Sequence, residues 1–192
     1  MSFSAFVHTG QHFILYSDGA AYDSASHEIT SLKTRKVWKI NERTALCWMG
    51  TRPELINHFV ENVKGYNAAS AISILSDRLE RGVNPLDFHS VKRAMILYTF
   101  EFIEGSLHWN RSSYSQGKME PEYRGTIRPG SSGEIVEGGN LGIFTKNLKY
   151  YDPGDAFKRA LQTYKRQGRP VGGQIFTVTI PCHPPSGRVN QY

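Results

Sequence analysis

Residues 2–20 read SFSAFVHTGQHFILYSDGA. Residues 3–7 and 12–17 have the aromatic and β-branched content of strands. His8-Thr9-Gly10-Gln11 between them can turn, with a glycine available for positive φ. The pair therefore reads as a hairpin. Its second strand is apolar on both faces, which suggests cover on both sides. Asp18-Gly19 then breaks the run.

Working outward, residues 37–40 and 44–49 make a second hairpin across Asn41-Glu42-Arg43, closed by Gly50. Pro53 sits near a helix start, with Thr51 a candidate cap. Leu55, Ile56, Phe59, Val60 and Val63 give that helix one apolar face over about fourteen residues. A second helix opens at Ala68 or Ala69, carries Ile72, Leu75 and Leu79 on one face, and ends near Gly82. The short link predicts antiparallel neighbours. Residues 94–102 form the strongest strand pattern and turn through Glu104-Gly105 into a strand over 106–109. Residues 111–126 are polar and hard to place, and Gly130-Ser131-Ser132-Gly133 is too flexible for the interior of a helix or strand. Pro153-Gly154-Asp155 opens another helix, with Phe157, Ala160, Leu161 and Tyr164 inward. Gly172-Gly173 precedes a strand over 174–180. A proline-rich tail runs from about residue 181.

Hairpins imply antiparallel sheet rather than a doubly wound parallel one. Two apolar sheet faces and two groups of one-sided helices fit two stacked antiparallel sheets with helices outside. The expectation is an α+β chain forming one domain over residues 1–192.

Composition narrows the function classes. No apolar run approaches the ~20 residues that cross a bilayer, and the start lacks the order of a signal peptide. A cytoplasmic protein with no membrane contact is expected. Two cysteines, Cys47 and Cys182, make neither a disulfide framework nor a zinc cluster. The histidines show no ligand spacing beyond His8 and His12, so no metal is expected. Cys182-His183 resembles a nucleophile–base pair only on paper, because adjacent residues rarely point the same way. The net charge is +6, but the basic residues read as spread along the chain with no recognition motif. No nucleic-acid partner is expected.

The chain's first residue offers chemistry that no internal residue does. A free α-amine has a pKa near ~8 and accepts a proton at neutral pH. Ser2, once Met1 is removed, would carry a hydroxyl and that base on one residue. A nearby lysine favours the oxyanion, a carboxylate holds the lysine, and a backbone N–H at a glycine turn stabilises the tetrahedral intermediate.

The opening stretch resembles the N-terminal-nucleophile (Ntn) hydrolases, in the branch of proteasome β-subunits and HslV. In that branch an Asp follows the first residue by sixteen positions, as Asp18 follows Ser2. A lysine before Val starts the next strand, as in Arg35-Lys36-Val37; Lys33 is a competing assignment. The oxyanion-hole glycine lies fourteen positions on, at Gly50. Gly130-Ser131-Ser132-Gly133 is similar to the family's Gly-Ser loop, and Gly172-Gly173 to its final Gly-Gly. The resemblance spans nearly the whole chain. It implies a four-layer α/β/β/α sandwich and hydrolysis of a peptide or amide bond without cofactor. Ser2 would be nucleophile and base, Lys36 would tune it, and Asp18 would hold Lys36. Gly50 would face the oxyanion, and Ser131 would position the amine. It further implies a homo-oligomer or ring, with an ATPase or scaffold as possible partner. The chain departs from the pattern in carrying Ser for the usual Thr, and Gly168 and Val171 where β-subunits have Asp and Ser. The alternative is a non-catalytic subunit that serves assembly.

Overall fold

The computed structural model describes residues 3–22, 28–50, 53–80, 95–115, 118–136 and 142–182. It is an α+β structure built on antiparallel sheets. β1 (Phe3–His8) and β2 (His12–Ser17) form the first hairpin. β3 (Ala21–Tyr22) pairs with β4 (Ile29–Ser31) in a small ribbon. β5 (Val37–Asn41) and β6 (Thr44–Met49) form the second hairpin. α1 (Pro53–Val63) and α2 (Ala68–Glu80) follow, then β7 (Met95–Ile103), β8 (Ser106–Ser115), β9 (Lys118–Ile127) and β10 (Ser132–Val136). The short α3 (Ile143–Asn147), α4 (Pro153–Arg166) and β11 (Phe176–Pro181) complete the order.

One sheet has strand order β10-β1-β2-β11 and the other β5-β6-β7-β8-β9. The period of two in a strand sends alternate side chains to opposite faces, and here both faces are covered. Phe13 and Leu15 of β2 join Val37, Ala45, Cys47, Phe100, Val178 and Ile180 in a cluster shared by the two sheets. The rings of Phe13 and Phe100 lie 4.8 Å apart in it. The other face of β1 and β2, with Phe3, Ala5, Val7 and Tyr16, packs on Phe144, Phe157, Ala160 and Tyr164 of α3 and α4. Trp38 and Ile40 of β5 and Leu46 and Trp48 of β6 pack on Phe59, Val60, Val63, Ala71 and Leu75 of α1 and α2. This explains why residues 12–17 carry no polar face.

Caps close the helices as side-chain chemistry dictates. Asp152 accepts hydrogen bonds from the N–H groups of Gly154 and Asp155 at the start of α4, and Pro153 sits where a missing N–H costs nothing. Asn67 accepts from Ser70 N at the start of α2 (2.8 Å). Glu134 of β10 accepts from Gly142 N (3.2 Å), from Phe144 N and from the Tyr164 hydroxyl (2.6 Å), tying α3 and α4 to the sheet.

Several expectations are corrected. α1 spans eleven residues, not fourteen. Residues 111–126, hard to place from sequence, are the end of β8 and most of β9. Ser132 and Gly133, read as too flexible for a strand, belong to β10 and pair with Val7 and Phe6. Pro181, where the proline-rich tail was expected to begin, closes β11 opposite His12. Ser2, Thr51, Gly82, Ala94 and the tail beyond Cys182 lie outside the described residues. Among the described residues no helix is long and apolar enough to cross a membrane.

Candidate active site

Asp18 is the first residue after β2, and its carboxylate is fully buried. Burial of a charge is costly unless it is paired and hydrogen-bonded, and every approach to this one is occupied. Oδ1 accepts from Lys36 Nζ at 2.5 Å and from the backbone N–H of Phe3 at 3.1 Å. Oδ2 accepts from Gly172 N at 3.0 Å and more weakly from Ala20 N at 3.4 Å. The Asp18 N–H returns a bond to the Phe3 carbonyl (2.9 Å). One carboxylate thus fastens the start of β1, the end of β2, the approach to β5 and the turn before β11. Lys36 is itself only 4% exposed, so its ammonium is held in one place.

Backbone packing brings these segments together. The Gly19 N–H donates to the Gly172 carbonyl (2.9 Å), and Gln174 N donates to the Leu32 carbonyl (2.8 Å). A Cβ on Gly19 would stand 2.5 Å from the Leu32 oxygen, and one on Gly173 would stand 2.2 Å from it. Gly173 also has φ of 76°. Only glycine allows this three-way approach. Gly50 ends β6, at the end of the β5–β6 hairpin where the Lys36 carbonyl accepts from Trp48 N (2.8 Å). Its φ of 102° is likewise a glycine conformation.

The structure therefore brings Asp18 and Lys36 into contact and leaves Gly50 at the same end of its hairpin. Phe3, the chain neighbour of Ser2, is bonded to Asp18. Lys33 is exposed, its N–H accepted by Ser31 Oγ (3.2 Å), so Lys36 is the lysine at this cluster. Ser131 is a correction. Its carbonyl accepts from His8 N (2.8 Å), at the far end of β1 from Phe3. The Gly-Ser loop thus sits at the opposite end of β1 from the Asp18–Lys36 cluster, away from the amine-positioning role. The register Phe3↔Val136 instead sends the chain out of β10 beside Phe3, ahead of α3.

Three further groups frame the pair and were not foreseen. Ser4 and Ser17 face each other across β1 and β2, both buried; the Ser17 hydroxyl has no hydrogen-bond partner among the described residues, while the Ser4 hydroxyl lies towards the Cys47 thiol. Cys47 joins them from β6. Burial pushes its thiol up to about 11, while the Ser4 hydroxyl and the Lys36 charge pull the other way. It is an inert thiol at neutral pH. Phe3 locks the chain start from the other face, its ring stacked on Phe157 at 4.8 Å and tilted against Tyr164 at 4.9 Å. The alternation of β1 held the signal for Phe3 as an anchor; nothing in the sequence marked Gly172 as a donor to Asp18.

A solved structure of eukaryotic HslV from Trypanosoma brucei superposes with a TM-score of 0.54, at 11% sequence identity, over 93% of this chain and 99% of that one. The fold is HslV-like. At that identity the likeness establishes the fold alone. No family model matches the sequence, and no curated protein matches it.

The other cysteine–histidine pairing is not the adjacent one in sequence. Cys182 Sγ lies 3.7 Å from His8 Nδ1, at the Ser131 end of β1. Gly10 N donates to that same nitrogen at 3.2 Å, which leaves the imidazole neutral with its proton on Nε2. Burial pushes the His8 imidazole down and the Cys182 thiol up. A neutral thiol beside a neutral imidazole is a packing contact, not a thiolate nucleophile.

Proposed function

We propose that this chain is a single Ntn-hydrolase-like domain, a four-layer α/β/β/α sandwich that cleaves a peptide or amide bond with Ser2 after removal of Met1. The observation that carries the reading is the buried Asp18–Lys36 pair bonded to the N–H of Phe3, the residue next to Ser2. A structural ion pair has no need of the chain's second residue, whereas an N-terminal nucleophile requires a fixed cation beside it. The HslV-like fold and the three apolar clusters support the layered arrangement.

In this mechanism Ser2 Oγ attacks the scissile carbonyl carbon and its proton passes to the α-amine of the same residue. Lys36 stabilises the developing negative charge, and Asp18 keeps Lys36 ionised and in place. The Gly50 N–H faces the oxyanion. Collapse expels the leaving amine, which takes up the proton, and water then hydrolyses the ester to restore Ser2. As in the family it resembles, the protein would act as a homo-oligomeric ring, with an ATPase as possible partner.

The test is hydrolysis of fluorogenic peptides by Met1-free protein, with Lys36→Ala as comparison. Loss of preorganised charge stabilisation costs about 10²–10³ in rate. Equal rates in both proteins would sink the mechanism.

One observation favours the second reading, a non-catalytic subunit with an assembly role. Where β-subunits carry a polar pair before the final Gly-Gly, Val171 is apolar and buried in the α4 cluster. Intact-mass spectrometry separates the readings: a retained or acetylated Met1 leaves no free amine on Ser2 and selects the assembly role.

A further inference from the structure

The chain's net charge of +6 is not spread over the molecule. Residues 142–169 hold seven Lys or Arg against two Asp, leaving +5 in the α3–α4 hairpin and +1 in all the rest. Both carboxylates are occupied locally. Asp152 caps α4, and Asp155 pairs with Lys158 at 2.9 Å. Along α4, Lys158, Arg159, Lys165 and Arg166 are exposed and lie opposite the buried Ala156, Phe157, Ala160 and Tyr164. At 1.5 Å per residue the stripe is about 12 Å long. Lys146 and Lys149 add exposed charge from α3 and the turn after it.

Aromatic rings stand among these cations. Tyr150 is 80% exposed and Tyr151 39%. Their rings lie 6.5 Å apart at an interplanar angle of 64°. The Arg159 guanidinium sits 3.9 Å over the Tyr151 ring. Tyr66 and Tyr123 are also exposed, but Tyr150 and Tyr151 stand side by side at the edge of the basic stripe. Solvation alone asks only for the charge.

We propose that the α3–α4 face binds single-stranded nucleic acid, with Lys146, Lys149, Arg159, Lys165 and Arg166 on the phosphates and a base stacked on Tyr150. Cations that track a backbone beside aromatic platforms are the physical basis of sequence-tolerant single-strand binding. The platform distinguishes this partner from an acidic protein, which would need the cations but not an exposed ring. The surface reverses the sequence-based expectation of no nucleic-acid partner, because that expectation took the charge as dispersed.

The experiment is fluorescence anisotropy with fluorescein-labelled dT20 and rU20 on the full chain, with polyglutamate as competitor. Binding is expected at low salt, with log K falling against log salt at a slope of about −3.5 for five phosphate contacts. Tyr150→Ala should weaken binding roughly 5- to 150-fold, the range for loss of one stacked base. Lys165→Glu/Arg166→Glu should weaken it at least about tenfold and flatten the slope. Both sites are exposed, so neither variant disturbs the core. Lys33→Glu, on a different element, should bind as wild type. Absence of binding to both oligonucleotides overturns the proposal. So does binding that polyglutamate displaces equally well and that Tyr150→Ala leaves unchanged, which would mark the face as an ion exchanger for acidic protein.

Discussion

Asp18→Ala removes the one acceptor shared by Lys36 Nζ, Phe3 N and Gly172 N, at 2.5, 3.1 and 3.0 Å. Lys36 remains 4% exposed with no counter-charge. Breaking a buried pair by removing one partner costs ~3–5 kcal/mol. Each stranded N–H adds ~1–3 kcal/mol where water does not reach it. A loss of at least ~3 kcal/mol is therefore expected, a large share of the ~5–15 kcal/mol that holds a domain together. Urea unfolding followed by circular dichroism measures it. Asp18→Asn/Lys36→Met separates the pair from the scaffold, because Asn keeps an acceptor for Phe3 N while both charges leave together. The double variant should be more stable than the summed singles by roughly 2 kcal/mol, within the usual range for contacting residues. Singles that add to within ~0.5 kcal/mol, or an Asp18→Ala loss below ~1 kcal/mol, would refute the reasoning.

Gly173→Ala should destabilise by more than ~1–2 kcal/mol in the same assay, since a Cβ would sit 2.2 Å from the Leu32 oxygen at a φ of 76°. His8 gives a pH signature. Burial lowers its folded pKa below the ordinary 6.5, so the unfolded chain binds the proton first. That contribution is complete above pH ~6.5 and is lost as pH falls from there towards the folded pKa, at up to ~1.36 kcal/mol per unit. His8→Gln should flatten this part of the stability profile. Cys47, with its thiol near 11 and fully buried, should resist iodoacetamide in native protein at pH 8 and react on unfolding, as mass spectrometry after quenching would reveal.

The legible parts of the fold were those in which hydrophobic period and topology agree. β1, β2, β5 and β6 are covered on both faces or close to it, and β11 alternates buried Val178 and Ile180 with exposed Thr177 and Thr179, so their apolar patterns were visible. The end of β8 and most of β9 were not, because polar cross-strand pairs hold them. Arg111 and Glu122 form an ion pair, Ser113 Oγ donates to Glu122 at 2.5 Å, and Arg111 lies over the Tyr98 and Tyr123 rings. Gly125 lies under the Trp109 indole, where a Cβ would meet Nε1 at 2.9 Å. Such a ribbon has no strict apolar alternation, and its Pro121 is tolerated because β9 is an edge strand.

In the candidate site, spacing from the chain start singled out Asp18, and the following Val37 and the distance to Gly50 favoured Lys36 over Lys33; the two side chains of Asp18 and Lys36 are in contact. Sequence resemblance failed at Ser131, because a Gly-Ser-Ser-Gly string has the composition of many turns and carries no direction. Register decides such a question: Val7 pairs with Ser132 and Phe3 with Val136, so the two ends of β10 serve opposite ends of the sheet. The donor at Gly172 was invisible for a related reason, since a backbone N–H has no residue signature.

The central claim is that Ser2, freed of Met1, is a nucleophile activated by Lys36. The most direct measurement is tandem mass spectrometry of Met1-free protein treated with a β-lactone. One adduct on Ser2 is predicted, abolished by Ser2→Ala, retained in part by Ser2→Thr, suppressed about 10²–10³-fold by Lys36→Ala and unaffected by Cys47→Ala. Unlabelled Met1-free protein, or labelling that survives Ser2→Ala, would contradict it.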